Sequence, residues 1–301
     1  AKDISTDEEM QQIATISSTD PEIGKIVAEV IKKVSKEGVI TVEEGKKIET
    51  EVEYKQGMEI ERGYLSHYFA TNEEAIIENP YILITDKKIN NSYEIVPLLQ
   101  KLASKQIKDI VIFAGEVVEE GLATLVINKL KGVFNLVAIQ APAYGERRIN
   151  ELEDIAILTG GVAILQDSGR TLESIEIEEL GRADKVSVNK DRTIILSGKG
   201  NPEKIKVRIN DLREQIKLAP SDYEEDVRKE RLARLTGSIA IINVGGTTEP
   251  EVKEKKQRVI DAVNATKAAI EEGVVAGGQI ALLTISKMPL WDAVDDFGAR
   301  I

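Results

Sequence analysis

Residues 81–141 read YILITDKKINNSYEIVPLLQKLASKQIKDIVIFAGEVVEEGLATLVINKLKGVFNLVAIQA. Three short apolar runs punctuate them: YILIT at 81–85, DIVIFAG at 109–115 and VFNLVAIQA at 133–141. Helical patterns fill the intervals, around Glu94–Ser104 and Val118–Lys131. A short apolar run between turn residues is a buried strand, whereas apolar residues at three- and four-residue spacing are one face of a helix. Neighbouring parallel strands need a long connection, and a crossover helix supplies it. The stretch therefore predicts an α/β unit. Pro97 fits only within the first turn of a helix, which predicts a start close to Glu94.

Downstream the rhythm continues with a helix over Ile149–Leu158 and a short strand in GGVAILQ at 160–166. It then changes. KVSVNKDRTIILSG at 185–198 reads as an antiparallel hairpin with Lys190 and Asp191 near its turn, so the sheets are parallel or mixed. Two charged helices follow, Glu203–Leu218 and Asp222–Leu235, separated by Pro220. SIAIINVGG at 238–246 returns to strand, and Glu251–Glu272 is the last strong helix. Upstream, VITVEEG and KIETEVEYKQG at 39–57 alternate as strands do. Before them, DPEIGKIVAEVIKKVSKEG at 20–38 reads as a helix capped by Asp20, begun by Pro21 and ended by Gly38. The expected arrangement is an α/β domain at 55–238 inserted into a small, mainly helical domain made by the flanks 1–54 and 239–272. Residues 273–301 stand apart as a remnant or divergent tail. Gly57 and Gly237, at the two junctions, are where backbone angles change cheaply.

Composition narrows the chemistry. Of the 301 residues, 40 are Lys or Arg and 52 are Asp or Glu, a net charge of −12 that argues against nucleic acid or an anionic membrane as partner. There is no Cys, which excludes disulfides, thiolate metal sites and a thiol nucleophile, and a single His, His67, which cannot build a multi-His metal site. No phosphate-binding loop, nucleophile elbow or HExxH motif is present. GKGNPE at 198–203 lacks the third glycine of a dinucleotide fingerprint and reads as a surface loop. Asp261, in a mostly apolar helical turn, reads as a rim charge.

Two helices are more apolar than packing on a sheet requires. Ile95, Val96, Leu98, Leu99, Leu102 and Ala103 cover over half the circumference of one. Leu122, Ala123, Leu125, Val126, Ile127 and Leu130 do the same on the other. A crossover helix needs an apolar arc of only about 100°. The segment YLSHYF at 64–69 adds Tyr64, Leu65, Tyr68 and Phe69. Such a surplus is either covered by another part of the chain or offered to a partner.

The set of motifs then resembles one family. GVITVEEG at 38–45, QGMEIERGYLSHYF at 56–69, DKKI at 86–89, LATLVIN at 122–128 and APAYGERR at 141–148 look like a group I (GroEL-type) chaperonin. LEDIAILTGG at 152–161, VNKD at 188–191, SDYEEDVRKERLARLTG at 221–237 and VKEKKQRVIDAVNATKAAIEEGVVAGG at 252–278 extend the resemblance, in order, over about 1–285. It implies an apical domain at 55–238, which binds non-native polypeptides and a GroES-type co-chaperonin, and an intermediate domain in the two flanks. The ATP-binding equatorial domain is expected to be largely missing, and its Asp-Gly-Thr-Thr-Thr motif has no counterpart. ATP and magnesium, and a ring of like subunits, belong to the intact family, and none of these is expected of this chain alone; the alternatives are a degenerate structural or assembly subunit of a chaperonin ring, or a residual ATPase acting through Asp261. The implied polypeptide-binding residues are Tyr64, Tyr68, Phe69, Val96, Leu99, Leu122, Val126 and Ile127. Gly57 and Gly237 match hinge glycines, and Asp261 matches the carboxylate that helps activate the water attacking ATP. The implied location is the bacterial cytoplasm, with plastid stroma and mitochondrial matrix as alternatives. His67 departs from a common Pro and Ser238 from a common Gly, and no match continues into WDAVDDFGARI at 291–301.

Overall fold

The computed structural model describes residues 1–4, 6–34, 39–45 and 47–287. In chain order the helices are α1 (Asp7–Ser18), α2 (Pro21–Val34), α3 (Ser92–Ser104), α4 (Glu119–Leu130), α5 (Gly145–Thr159), α6 (Pro202–Lys217), α7 (Asp222–Thr236), α8 (Glu249–Glu272) and α9 (Ile280–Ser286). The first six strands are β1 (Ile40–Glu44), β2 (Glu51–Ile60), β3 (Ala75–Glu78), β4 (Tyr81–Thr85), β5 (Lys88–Ile89) and β6 (Asp109–Ala114). The others are β7 (Glu116–Val117), β8 (Asn135–Gln140), β9 (Ala163–Ile164), β10 (Gly181–Val188), β11 (Thr193–Gly198) and β12 (Ser238–Val244). The chain divides into two compact units, one of Ala1–Glu53 with Ala240–Ile301 and one of Tyr54–Ile239.

The smaller unit packs α1, α2 and α8 on one another, with β1 parallel to β12 in the register Ile40↔Ala240 to Glu44↔Val244. Its core is the stripe expected of α2, with Ile23, Val27, Val30 and Ile31 buried, joined by Val259 and Val263 of α8. Asp20 caps α2, its Oδ1 accepting from the Glu22 N–H at 2.8 Å. Gly38, expected to end that helix, lies outside the described residues, as does the stretch 288–301. α1 is not among the helices expected from the sequence. Its signal is a capping box: the Thr6 hydroxyl accepts from the Glu9 N–H, and the Glu9 carboxylate accepts from the Thr6 N–H.

The larger unit is the expected mixed α/β fold. β4, β6 and β8 run parallel, and β9 joins β4 in the same sense. β10 and β11 form the hairpin, and β2 extends it antiparallel to β11. β10 changes partner along its length, meeting β4 through Gly181 and Arg182 and β3 through Lys185–Val188. That switch joins the parallel and antiparallel portions. The core is aliphatic, with Ile82, Leu83, Ile110, Val111, Leu136 and Val137 all buried.

One boundary is corrected. α3 begins at Ser92, so Pro97 sits at its sixth residue and not within the first turn. The Glu94 carboxylate accepts from the N–H groups of Asn90 (2.8 Å) and Asn91 (3.5 Å), which fixes the start two residues upstream. Pro97 then costs the helix only the bond to the Tyr93 carbonyl, close enough to the end to be tolerated.

Candidate functional site: an apolar face on α3 and α4

The site is built by two crossover helices and the segment 64–69, all within the 54–239 unit. The N–H of Tyr64 donates to the Asn189 carbonyl at 3.1 Å and that of Leu65 to the Ala138 carbonyl at 2.9 Å. Tyr64 and Leu65 thereby occupy the free edge of β8, which blunts a strand edge that would otherwise invite pairing. The chain then makes one 3-10 turn, His67–Phe69, with the Ser66 hydroxyl accepting from the Tyr68 N–H. The turn drives Phe69 into the core at 0% exposure and leaves Tyr68 outside at 53%. The His67 ring lies against that of Tyr68, with centroids 4.1 Å apart.

α4 sits close to the chain that precedes α3. A Cβ on Gly121 would stand 2.7 Å from the Ile89 carbonyl, so only glycine allows this approach. Its N–H donates to the Asn90 carbonyl at 2.8 Å. The surplus foreseen on α4 is real. Leu125 is its one fully buried large side chain, Leu122 and Val126 are half-buried, and Ile127 and Leu130 are 49% and 65% exposed.

The surplus foreseen on α3 is mostly internal. Ile95, Leu98, Leu99 and Leu102 are all core residues, and Val96 alone of the implied binding residues on α3 is half-buried. The second flank of α3 is covered by the segment 170–180. Lys101 Nζ donates to the carbonyls of Glu173 (3.1 Å) and Ile175 (2.9 Å) and pairs with Glu176 at 2.9 Å, while Leu172 and Ile175 are buried beneath. That segment is braced by Arg170, whose two terminal nitrogens donate to both carboxylate oxygens of Glu179 at 2.7 and 2.8 Å. The Arg170 pairing, with the Glu176 N–H as second donor, pulls the Glu179 carboxyl down to about 2.

Of the eight implied binding residues, Tyr64, Tyr68, Val96, Leu122, Val126 and Ile127 are thus at least partly exposed, while Phe69 and Leu99 support them from the core. Two exposed apolar neighbours escaped the sequence reading. Tyr93 is three residues before Val96 on α3, a spacing that puts both on one face, and Val133 follows α4. At the far ends of the helices a polar chain links Lys129 Nζ to Asn135 Oδ1 (2.6 Å) and Asn135 Nδ2 to Asp109 (2.8 Å). Burial pushes the Lys129 amine below its ordinary value, with Asp109 opposing.

The remaining candidates lie elsewhere. Asp261 is exposed on α8, its carboxylate accepting from Gln257 Nε2 at 3.1 Å. Gly57 and Gly237 meet at the base of the larger unit, the Gly57 N–H directed at the Gly237 carbonyl at 3.5 Å. Neither has a positive φ. Gly57 is needed for space, since a Cβ would stand 2.5 Å from the Ile195 carbonyl and 2.3 Å from the Ile239 side chain. Among the described residues no group of three or more His, Cys, Asp or Glu is placed to hold a metal, and no helix is long and apolar enough to cross a membrane. Compared with known proteins, residues 2–288 match the model of the TCP-1/cpn60 chaperonin family.

Proposed function

Because this chain belongs to the TCP-1/cpn60 chaperonin family, and so has a chaperone function in protein folding, we propose that it holds non-native polypeptide on the α3–α4 face of the 54–239 unit. The observation that carries this reading is the exposed row Tyr68, Ile127 and Leu130 beside half-buried Leu122 and Val126. Unfolded chains expose apolar side chains of no fixed sequence. Burying them yields about 25 cal/mol per Å², with no demand for matched polar groups. Aliphatic side chains adapt to varied partners. A GroES-type co-chaperonin that offers an apolar segment would compete for the same face.

The test is aggregation suppression of a denatured client by Ile127→Glu/Leu130→Glu. Both side chains are exposed, so the fold should be kept, as circular dichroism will check. Fully burying an aliphatic side chain contributes about 1.5–3 kcal/mol, and 1.4 kcal/mol is tenfold, so holding should weaken by roughly tenfold or more. Parent-like holding by the folded variant would overturn the reading.

ATP with magnesium, ring assembly and a hinge at Gly57 and Gly237 remain parts of the proposed cycle of an intact chaperonin. Asp261 is exposed, as a carboxylate that orients a water on a separate nucleotide domain has to be. With this chain alone, Asp261→Ala should leave ATP turnover at background. A turnover that the substitution abolishes would instead assign catalysis to this chain.

A further inference from the structure

α3 and α4 follow parallel strands of one sheet, and they present the same ends to the same sides. The Ser92 hydroxyl, in the first turn of α3, donates to Glu120 Oε1 in the first turn of α4 at 2.6 Å. At the other end Asn135, whose side chain accepts from Lys129 of α4, donates its N–H to the carbonyl of Lys108, in the connection from α3 to β6 (2.9 Å). The face between them therefore has two distinct ends.

The charges at those ends are opposite. Glu119 and Glu120 are exposed at the first turn of α4, with Glu94 on α3 and Glu116 beside them. Among the described residues the cation paired there is Lys88, bound to Glu116 at 2.8 Å, so a negative excess remains. At the other end Lys105, Lys108 and Lys131 are exposed, and each lacks an ion pair among the described residues. Lys101 is already neutralised by Glu176. Glu119 and Glu120 at the start of α4, and Lys105 and Lys131 at the ends of α3 and α4, lie where the helix macrodipole favours them, which helps like charges gather there.

We propose that this face is electrically polar, and that it selects apolar polypeptide segments with segregated charges, cationic over Glu119 and Glu120 and anionic over Lys105, Lys108 and Lys131. The inference rests on the reading that the face receives polypeptide. α4 has 12 residues, so the ends are about 18 Å apart at 1.5 Å per residue. An extended segment covers that distance in about six residues. The preferred ligand is thus a basic pair, about six apolar residues and an acidic pair.

Two fluorescein-labelled peptides of identical composition test this by anisotropy. One carries Lys-Lys, six apolar residues and Glu-Glu. The other carries Lys-Glu at both ends. With exposed pairs, the segregated peptide should bind about three- to tenfold tighter at 20 mM salt. That advantage should vanish at 1 M, where the screening length is about 3 Å. Lys105→Glu/Lys131→Glu should erase the preference and leave the mixed peptide within about twofold. Equal affinities at low salt would overturn the proposal, and so would a preference that survives the charge reversal. If neither peptide binds, the reading of the face as a polypeptide site fails, and the proposal with it.

Discussion

Two helical regions of the larger unit handle their surplus side chains in contrary ways. On α5, α6 and α7 the surplus is charge, and it is spent internally. Asp154, almost fully buried, accepts from Arg208 Nε at 2.8 Å and from Arg231 Nε and Nη2 at 2.7 and 3.1 Å. Glu151 accepts from Arg234 at 3.2 Å. Asp154, Arg231, Glu151 and Arg234, with Met58, Ile60 and Ile155, line a small cleft whose charged walls already pair with one another. On α4 the surplus is apolar, and at Ile127 and Leu130 it is left on the surface. The first arrangement locks helices together, whereas the second leaves hydrophobic free energy available to a partner. The contrast explains why a cleft rich in ionisable groups is the weaker functional candidate here, and an exposed row of aliphatic side chains the stronger.

The contrast can be broken most severely at Asp154. Asp154→Ala leaves Arg231, itself buried, and Arg208 without their shared anion. Removing one partner of a buried ion pair costs about 3–5 kcal/mol, to be read as a lower urea midpoint, and binding on α4 should persist in the folded fraction. A loss under about 1 kcal/mol would show that the cluster is solvated and not locked. Phe69 and Tyr68 restate the contrast between adjacent residues. Phe69→Ala empties a core site and should cost about 3–5 kcal/mol, whereas Tyr68→Ala should change stability by under about 0.5 kcal/mol and yet weaken client holding. Equal stability losses would mean that Tyr68 is a packing residue.

Much of this was legible in the sequence, for identifiable reasons. YILIT, DIVIFAG and VFNLVAIQA are buried on both faces and have strand length, so composition alone marked β4, β6 and β8. The surplus on α4 was visible because an apolar arc wider than one sheet contact has no other local use. On α3 a similar surplus does have a local use, because Leu172 and Ile175 cover the second flank. That cover is two short 3-10 turns, Leu172–Ser174 and Ile177–Glu179, which have no periodicity to mark them in the sequence. Phe69 and Leu99 went the same way: side chains that look alike in a string are sorted into core and surface by a single turn. Pro97 misled because a capping carboxylate, Glu94, outweighed the local penalty of the proline.

The smallest expected effect bears on that cover, and would make α3 more like α4. Glu179 has its folded value near 2 against an ordinary 4.5, so its pairing with Arg170 contributes full stability above about pH 4.5 and loses it as pH falls towards 2. Both side chains remain partly in water, with 34% of Arg170 and 25% of Glu179 exposed, and a pair in that position is worth under about 1 kcal/mol. The loss should be local. Hydrogen-exchange protection at the Ile175 and Leu180 amides, which close the turns beside Glu179, should drop by up to about fivefold between pH 5 and pH 3. Amides inside α4 should not follow. Arg170→Met should already show the lowered protection at pH 7 and lose the pH dependence. Protection that stays flat in the parent chain would mean that packing of Leu172 and Ile175 holds the cover on α3 without the ion pair. The α3 flank would then be closed by the same aliphatic contacts that α4 leaves open.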